Sequence, residues 1–209
     1  MRLVLASNNA GKLTELQTLF APLAVDLVTQ GSLAITEAEE PHATFVENAL
    51  AKARHAALWS QGAAIADDSG LCVDALGGAP GVISAHYAEV KLAPGDREVQ
   101  RRVQDAANNA LLLQRMDGEA DRRARFVCTL VAVRSADDPE PLIATGRWQG
   151  TLLNEAQGAA GFGYDPLLFI PALSRSVAEL DAATKNAHSH RALASMQMLA
   201  LMREVWRSG

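Results

Sequence analysis

Residues 2–20 read RLVLASNNAGKLTELQTLF, and the change of rhythm inside this stretch decides the fold class. Arg2–Ala6 is a short apolar run of strand type. After the polar turn Ser7-Asn8-Asn9, Leu13, Leu16, Leu19 and Phe20 recur at helical spacing. The chain therefore opens β-α. Further on, a second helix is predicted from Thr44 to about Trp59, with Phe45, Ala49, Ala53, Ala56 and Ala57 on one face. Thr44 and Glu47 fit a capping box at its start. Ala63–Asp67 reads as the next strand, ending in a turn at Ser69-Gly70. Asp96 can cap a long helix to about Met116, with Val99, Val103, Ala106, Ala110 and Leu113 in register.

Two more segments are strand-like: RARFVCTLVAV (123–133), and PLIATGRWQGTLL (141–153), which is expected to bend at Gly146 and Gly150. A loop, 158–166, precedes the apolar strand Leu167–Ile170. The last helix runs from about Ser189 to Trp206, with Leu193, Met196, Leu199, Ala200 and Met202 facing inward. Strands and helices intermix, so the class is α/β. The 209 residues form one domain, 1–209, or a domain of two lobes with a cleft between them.

Charge and composition narrow the function. The formal charge is −5, with no run of Lys or Arg, which argues against nucleic acid and membrane surfaces as partners. No apolar stretch reaches the 18 residues that a membrane span needs. Cys72 and Cys128 are isolated and read as small buried hydrophobes, consistent with a reducing, cytoplasmic setting.

Four segments carry chemistry. Ser7, Asn8, Asn9, Ala10, Gly11 and Lys12 lead from strand to helix, where N–H groups and a lysine suit phosphate. A helix-capping turn explains these six residues about as well. They are not a Walker loop, because Leu13 stands where Ser or Thr would hold magnesium. Asp67 and Asp68 are adjacent in an extended segment, so their carboxylates point to opposite faces and only one serves a given site. Asp68 plus one Glu of EAEE (37–40) suits magnesium, while Glu47 is already occupied as a cap. TKNAHSHR (184–191) gathers four donors, although His188 and His190 are too close in sequence to share one helical face. Ser189 can equally be a helix cap there. GFGYDP (161–166) offers glycines for close approach and aromatic rings for stacking.

In this order, ASNNAGK, EEPHATFVENALAKA, ADDSGLCVDALGGAPG, GFGYDP and KNAHSHRA resemble the inosine triphosphate pyrophosphatase family, the XTP/dITP diphosphatases of bacteria. The resemblance covers nearly the whole chain. It implies an elongated α/β fold with a mixed β-sheet flanked by helices, a homodimer, and Mg2+ as cofactor. It also implies hydrolysis of non-standard purine nucleoside triphosphates to monophosphate and pyrophosphate. By the same resemblance Asp68 is the catalytic carboxylate and a metal contact, with Glu39, or Glu40 in reserve, as the second metal residue. Ser7–Lys12 hold phosphates and Ser69 touches substrate. Phe162, Gly163, Tyr164, Asp165, Lys185, His190 and Arg191 surround base and phosphates. His86, Thr184 and Ala192 depart from the family's usual residues. A nucleotide sensor without turnover and another metal-dependent phosphohydrolase are the alternatives.

Overall fold

In the computed structural model, which describes residues 2–23, 25–91 and 94–206 (Ala10 and Leu23 by backbone alone), the first strand sets the layering. Strand β1 (Arg2–Leu5) sends Leu3 and Leu5 into one core and Val4, with Ala6 beyond it, into another. This is the two-residue period of a strand covered on both faces. β1 pairs in parallel with β2 (Asp26–Thr29) and with β3 (Ala64–Val73). The remaining strands are β4 (Arg123–Val133), β5 (Leu142–Leu152), β6 (Leu168–Ile170) and β7 (Arg175–Ser176). Strand order is β2-β1-β3-β4-β5-β6-β7, and β5/β6 and β6/β7 are antiparallel. The fold is α/β with a mixed sheet.

The chain divides into two compact units, one of residues 1–68, 128–147 and 186–209, the other of 69–127 and 148–185. In the first unit, helices α1 (Ala10–Phe20) and α5 (His190–Val205) pack Leu16, Phe20, Ala194, Met198 and Met202 against Leu3, Leu5, Ile65, Cys128 and Leu130. Helix α2 (Phe45–Ser60) lays Ala49, Ala53, Ala56 and Ala57 on Val4, Ala6, Ala64, Ala66, Val131 and Val133. Alanines bring that helix close to the sheet. Thr44 caps it as expected: its hydroxyl accepts from the Glu47 N–H and donates to the Glu47 carboxylate at 2.6 Å. The inner face of α5 includes Met202 and Leu199 as expected but is otherwise shifted by about one residue. Met196 is 53 % exposed and Ala200 is exposed, while Arg191, Ala194, Ser195 and Met198 are buried. A buried arginine and serine on the inner stripe defeat a reading based on apolar spacing.

β5 runs through Gly146 and Gly150 as one continuous strand. The two glycines serve close approach. A Cβ at Gly146 would overlap the His190 carbonyl oxygen and crowd the Ala194 N–H, so α5 sits directly on the strand there. Gly146→Ala should therefore cost about 2–3 kcal/mol by overpacking, measured by urea unfolding.

In the second unit, Leu71, Val73, Phe126, Trp148, Leu152, Tyr164, Leu167 and Leu168 form the core with Leu112 and Met116. β3 does not turn at Ser69-Gly70 but continues to Val73. Gly70 lets residues 81–84 approach, and the Ser84 hydroxyl accepts the Leu71 N–H at 2.9 Å. Helix α3 (Arg97–Arg115) starts at the expected cap, Asp96, but buries a different face. Gln104, Asn108 and Leu112 are inside, whereas Val99 and Val103 are 60 % and 48 % exposed. The backbone of 84–88 needs partners, and polar side chains supply them. Asn108 donates to the Ser84 and Ala85 carbonyls, both at 3.2 Å, and accepts the Ala88 N–H at 2.9 Å. A short helix not foreseen from sequence, α4 (Ala182–His188), carries Lys185, and Asp181 accepts the Thr184 N–H at 2.7 Å at its start.

Candidate active site

The alternation that layers β1 also sorts the two adjacent aspartates. Ala64, Ala66 and Asp68 face α2; Ile65 and Asp67 face α1 and α5. Both carboxylates are buried, and each is met by cations of the protein itself. Asp67 is ion-paired with Lys12 of α1 and, at 2.9 Å, with the Nε of Arg191 of α5, while the Cys128 thiol donates to it at 3.1 Å. Arg191 is also paired with Glu15. Two cations thus balance two carboxylates. Burial pushes the Asp67 carboxyl up, but the Arg191 and Lys12 charges prevail and hold it well below the usual carboxylate range. The same surroundings raise the Cys128 thiol, first through its burial and then through Asp67.

On the α2 side, Lys52 Nζ lies 2.9 Å from Asp68 Oδ1 and 2.6 Å from Glu40 Oε2. Lys52 is paired with two carboxylates here, and Lys12 adds a more distant attraction. Among the described residues Lys12, Lys52 and Arg191 thus face Glu15, Glu40, Asp67 and Asp68 with an excess of negative charge. Burial pushes Asp68 up to about 6, outweighing Lys52, and Glu40 adds to the rise. Glu40 is more open to water, so its own smaller burial penalty is overcome by Lys52 and it is lowered. Lys52 is held above its ordinary value despite burial, by Asp68 and then Glu40. Asn48 builds this corner: its carboxamide bonds both the N–H and the carbonyl of His42, fixing the segment that carries Glu40 at the start of α2.

The other expected phosphate residues form the entry to α1. Ser7 accepts the Asn9 N–H at 3.2 Å, Asn9 caps the helix through the Lys12 N–H, and Ala10 and Gly11 begin its first turn. Asn8 donates to Glu37 at 2.8 Å. Ser69, half-buried, follows Asp68 directly. His190 is buried as the first residue of α5, behind its cap Ser189. Arg191 is 1 % exposed, and its guanidinium is engaged with carboxylates of the protein rather than presented to solvent.

In the second unit, GFGYDP folds around Asp165, which accepts the Phe162 N–H at 3.0 Å and pairs with Lys185 at 2.8 Å. Lys185 Nζ stands 4.8 Å from the centre of the Phe162 ring. Gly161, at φ +79°, has no room for a Cβ beside the Asp165 carboxylate. Tyr164 is buried and donates to the Ser84 carbonyl at 2.9 Å, so its ring belongs to the core.

The sequence matches the Ham1 family over residues 3–201. The chain belongs to that family. A protein of Methylibium petroleiphilum named dITP/XTP pyrophosphatase is 73 % identical over 206 residues, 99 % of either chain. One of the same name from Burkholderia pseudomallei is 56 % identical over 98 % of this chain and 94 % of its own. Among solved structures, a HAM1 protein from Coxiella burnetii superimposes with a TM-score of 0.87 at 39 % identity, covering 98 % of this chain and all of the other. The Ham1 protein of Staphylococcus aureus gives 0.82 at 33 % identity, covering 98 % and 99 %.

The surroundings of Asp68 fit a divalent cation. Asp68 Oδ2 is buried and receives no hydrogen bond among the described residues. An acceptor-only oxygen, beside a second carboxylate and an excess of negative charge, suits a hard cation. No group of three or more His, Cys, Asp or Glu placed to hold an ion gathers among the described residues, so such an ion would need further ligands from water or phosphate. The acidic residue that shares Lys52 with Asp68 is Glu40, the reserve choice; both Glu39 and Glu40 are exposed.

Two charged groups of this arrangement were missed in the sequence. Glu15 gives no signal of its own. Lys52 does: Asn48, Ala49, Lys52, Ala53 and Ala56 lie on one buried stripe of α2. A cation on such a stripe requires an anion opposite.

Proposed function

We propose that this Ham1-family protein hydrolyses non-standard purine nucleoside triphosphates (dITP, ITP and XTP) to the monophosphate and pyrophosphate, with Mg2+ as its metal. The observation that carries the reading is Asp68: a buried carboxylate with one oxygen on Lys52 and the other without a donor among the described residues. The activity named for its relatives supports the same reading.

In this proposal Asp68 and Glu40 would hold the cation, directly or through water. When bound, the cation lowers the pKa of a coordinated water toward neutrality. Asp68 accepts a proton from the attacking water, and Lys52 on Oδ1 fixes the carboxylate's orientation. Ser7–Lys12 and the N-terminal N–H groups of α1 receive phosphate oxygens. The Lys12 ammonium, held by Asp67, supplies the positive charge that meets them. Arg191 anchors Asp67, which in turn fixes Lys12. Phe162 and Lys185 take the base. Attack falls on the α-phosphorus, so that pyrophosphate leaves as one piece. A homodimer in the cytoplasm completes the reading, with no nucleic-acid or membrane partner; among the described residues no helix is long and apolar enough to cross a membrane.

Selectivity follows from the atom at C6. Hypoxanthine and xanthine present an oxygen there and adenine an amino donor, so N–H donors aimed at this point reject adenine by roughly 10⁴-fold. Pyrophosphate release from dITP, XTP, ITP and ATP, assayed in parallel with Mg2+, tests the proposal. ITP should be turned over at least ~100-fold more efficiently than ATP; equal rates would refute the selectivity, and no release from any of them would refute the activity.

A further inference from the structure

We propose that Asp105 and Asn109 of α3 are positioning residues for base recognition, acting by gripping both backbone polar groups of Gly163. The inference rests on the reading of Phe162–Asp165 as the base-contacting loop. Asp105 Oδ2 accepts the Gly163 N–H at 2.8 Å, and Asn109 Nδ2 donates to the Gly163 carbonyl at 3.0 Å. The two residues stand four apart on α3, and hence on one face of it.

The loop needs such a grip. Gly161 and Gly163 both have left-handed backbones, at φ +79° and +62°. Two glycine pivots give the loop more conformations to lose than non-glycine residues would. A Cβ at Gly163 would meet nothing within 4 Å, so its glycine is demanded by backbone angle and not by space. The peptide planes on either side of Gly163 aim the flanking rings. Fixing its N–H fixes the plane shared with Phe162, and fixing its carbonyl fixes the plane shared with Tyr164. Tyr164 has its own anchor at Ser84. The Phe162 ring is exposed enough to respond, and it is the ring under Lys185.

The grip is held at a cost. Asp105 is half-buried, and burial raises its carboxyl above the ordinary value even though the Gly163 N–H pulls the other way. Asn109 Oδ1 is buried and accepts nothing among the described residues. Turning the carboxamide over would face that oxygen to the Gly163 carbonyl oxygen, so donation to Gly163 sets its orientation. A helix used only for packing has no need of either feature.

Asp105→Ala and Asn109→Ala test the proposal, with KM and kcat measured for ITP and ATP and with inhibition by pyrophosphate alone. The KM for ITP should rise about tenfold in each variant, with kcat falling no more than about twofold. The preference for ITP over ATP should shrink by a similar factor. Pyrophosphate carries no base, and its inhibition constant should stay within twofold. Asp105→Asn keeps an oxygen that accepts the Gly163 N–H and should restore most of the preference. A folded Asp105→Ala protein with undiminished preference overturns the inference, and so does equal weakening toward pyrophosphate, which marks general loosening. Should Asp105→Ala fail to fold, Asn109→Ala and the Asp105→Asn comparison decide on the same criteria. A wild-type protein that hydrolyses ITP and ATP alike removes the base-loop reading itself, and the positioning role with it.

Discussion

Asp68→Asn should lower turnover at least ~100-fold and, at the same time, make the metal-free protein more stable. Loss of turnover follows from the missing base. Asparagine keeps an oxygen for Lys52 and much the same volume, but it neither accepts a proton nor carries the charge that would hold a cation. The gain in stability follows from burial. With its carboxyl near 6 in the folded protein and near 3.8 when unfolded, ionised Asp68 costs about 3 kcal/mol at neutral pH. The folded state binds this proton more tightly than the unfolded one. The contribution of Asp68 therefore becomes less favourable as pH rises from about 4 to about 6 and is constant above. The amide resembles the protonated acid, so the variant and the wild type should melt together near pH 4. At pH 7, in chelator, the variant should melt roughly 5–10 °C higher. Thermal scans at the two pH values check this, and a variant that melts lower at pH 7 would refute it. Added Mg2+ should raise the melting point of the wild type alone. That outcome separates a carboxylate kept for an ion from one kept for packing.

How far the sequence disclosed this arrangement depended on which force placed each residue. The strand alternation of Leu3, Val4 and Leu5, the cap at Thr44 and the cap at Asp96 are local, and they could be read directly. The opposite directions of Asp67 and Asp68 also followed from strand geometry, and with them the view that one serves the site. What solvent or cation compensates them did not follow, because Lys12, Lys52 and Arg191 reach them over 16 to 124 residues of sequence. The inner face of α3, and part of that of α5, was misjudged for one reason. Each buries polar groups that answer a distant demand, Asn108 for the backbone of 84–88 and Arg191 for Asp67. Apolar spacing registers burial by hydrophobicity and is silent about burial by pairing. Ser69-Gly70 looked like a turn because its glycine is the commonest turn residue, whereas here the glycine gives another segment room to approach. The Glu39–Glu40 choice turned on the His42 grip by Asn48, which nothing in EAEE announces.

Arg191→Met should destabilise the protein by about 3–5 kcal/mol, the range expected when one partner of a buried ion pair is removed. Methionine fills part of the space, so the loss is chiefly electrostatic. Asp67, fully buried, keeps Lys12 and the Cys128 thiol but loses its largest source of attraction. Glu15 loses its partner as well. Packing and charge are separable by a double-mutant cycle with Asp67→Asn. If the cost lies in the uncompensated carboxylate, Arg191→Met made on the Asp67→Asn background should cost at least ~2 kcal/mol less than on the wild type. Equal costs on both backgrounds would mean that the guanidinium is valued for its bulk. The pH dependence carries the same signature with a definite sign. Asp67 is held well below its ordinary value, so its stabilising contribution is present above the unfolded value near 3.8 and is lost as pH falls through the folded one. Without Arg191 the Asp67 carboxyl rises, and that loss moves to higher pH. Urea unfolding between pH 3 and 7 should show the variant losing stability at a less acidic pH than the wild type. Activity adds the functional half: with Asp67 released from α5, the Asp67–Lys12 pair loses its fixed position, and Lys12 is no longer held for phosphate. The KM for ITP should then rise even at temperatures where the variant is fully folded.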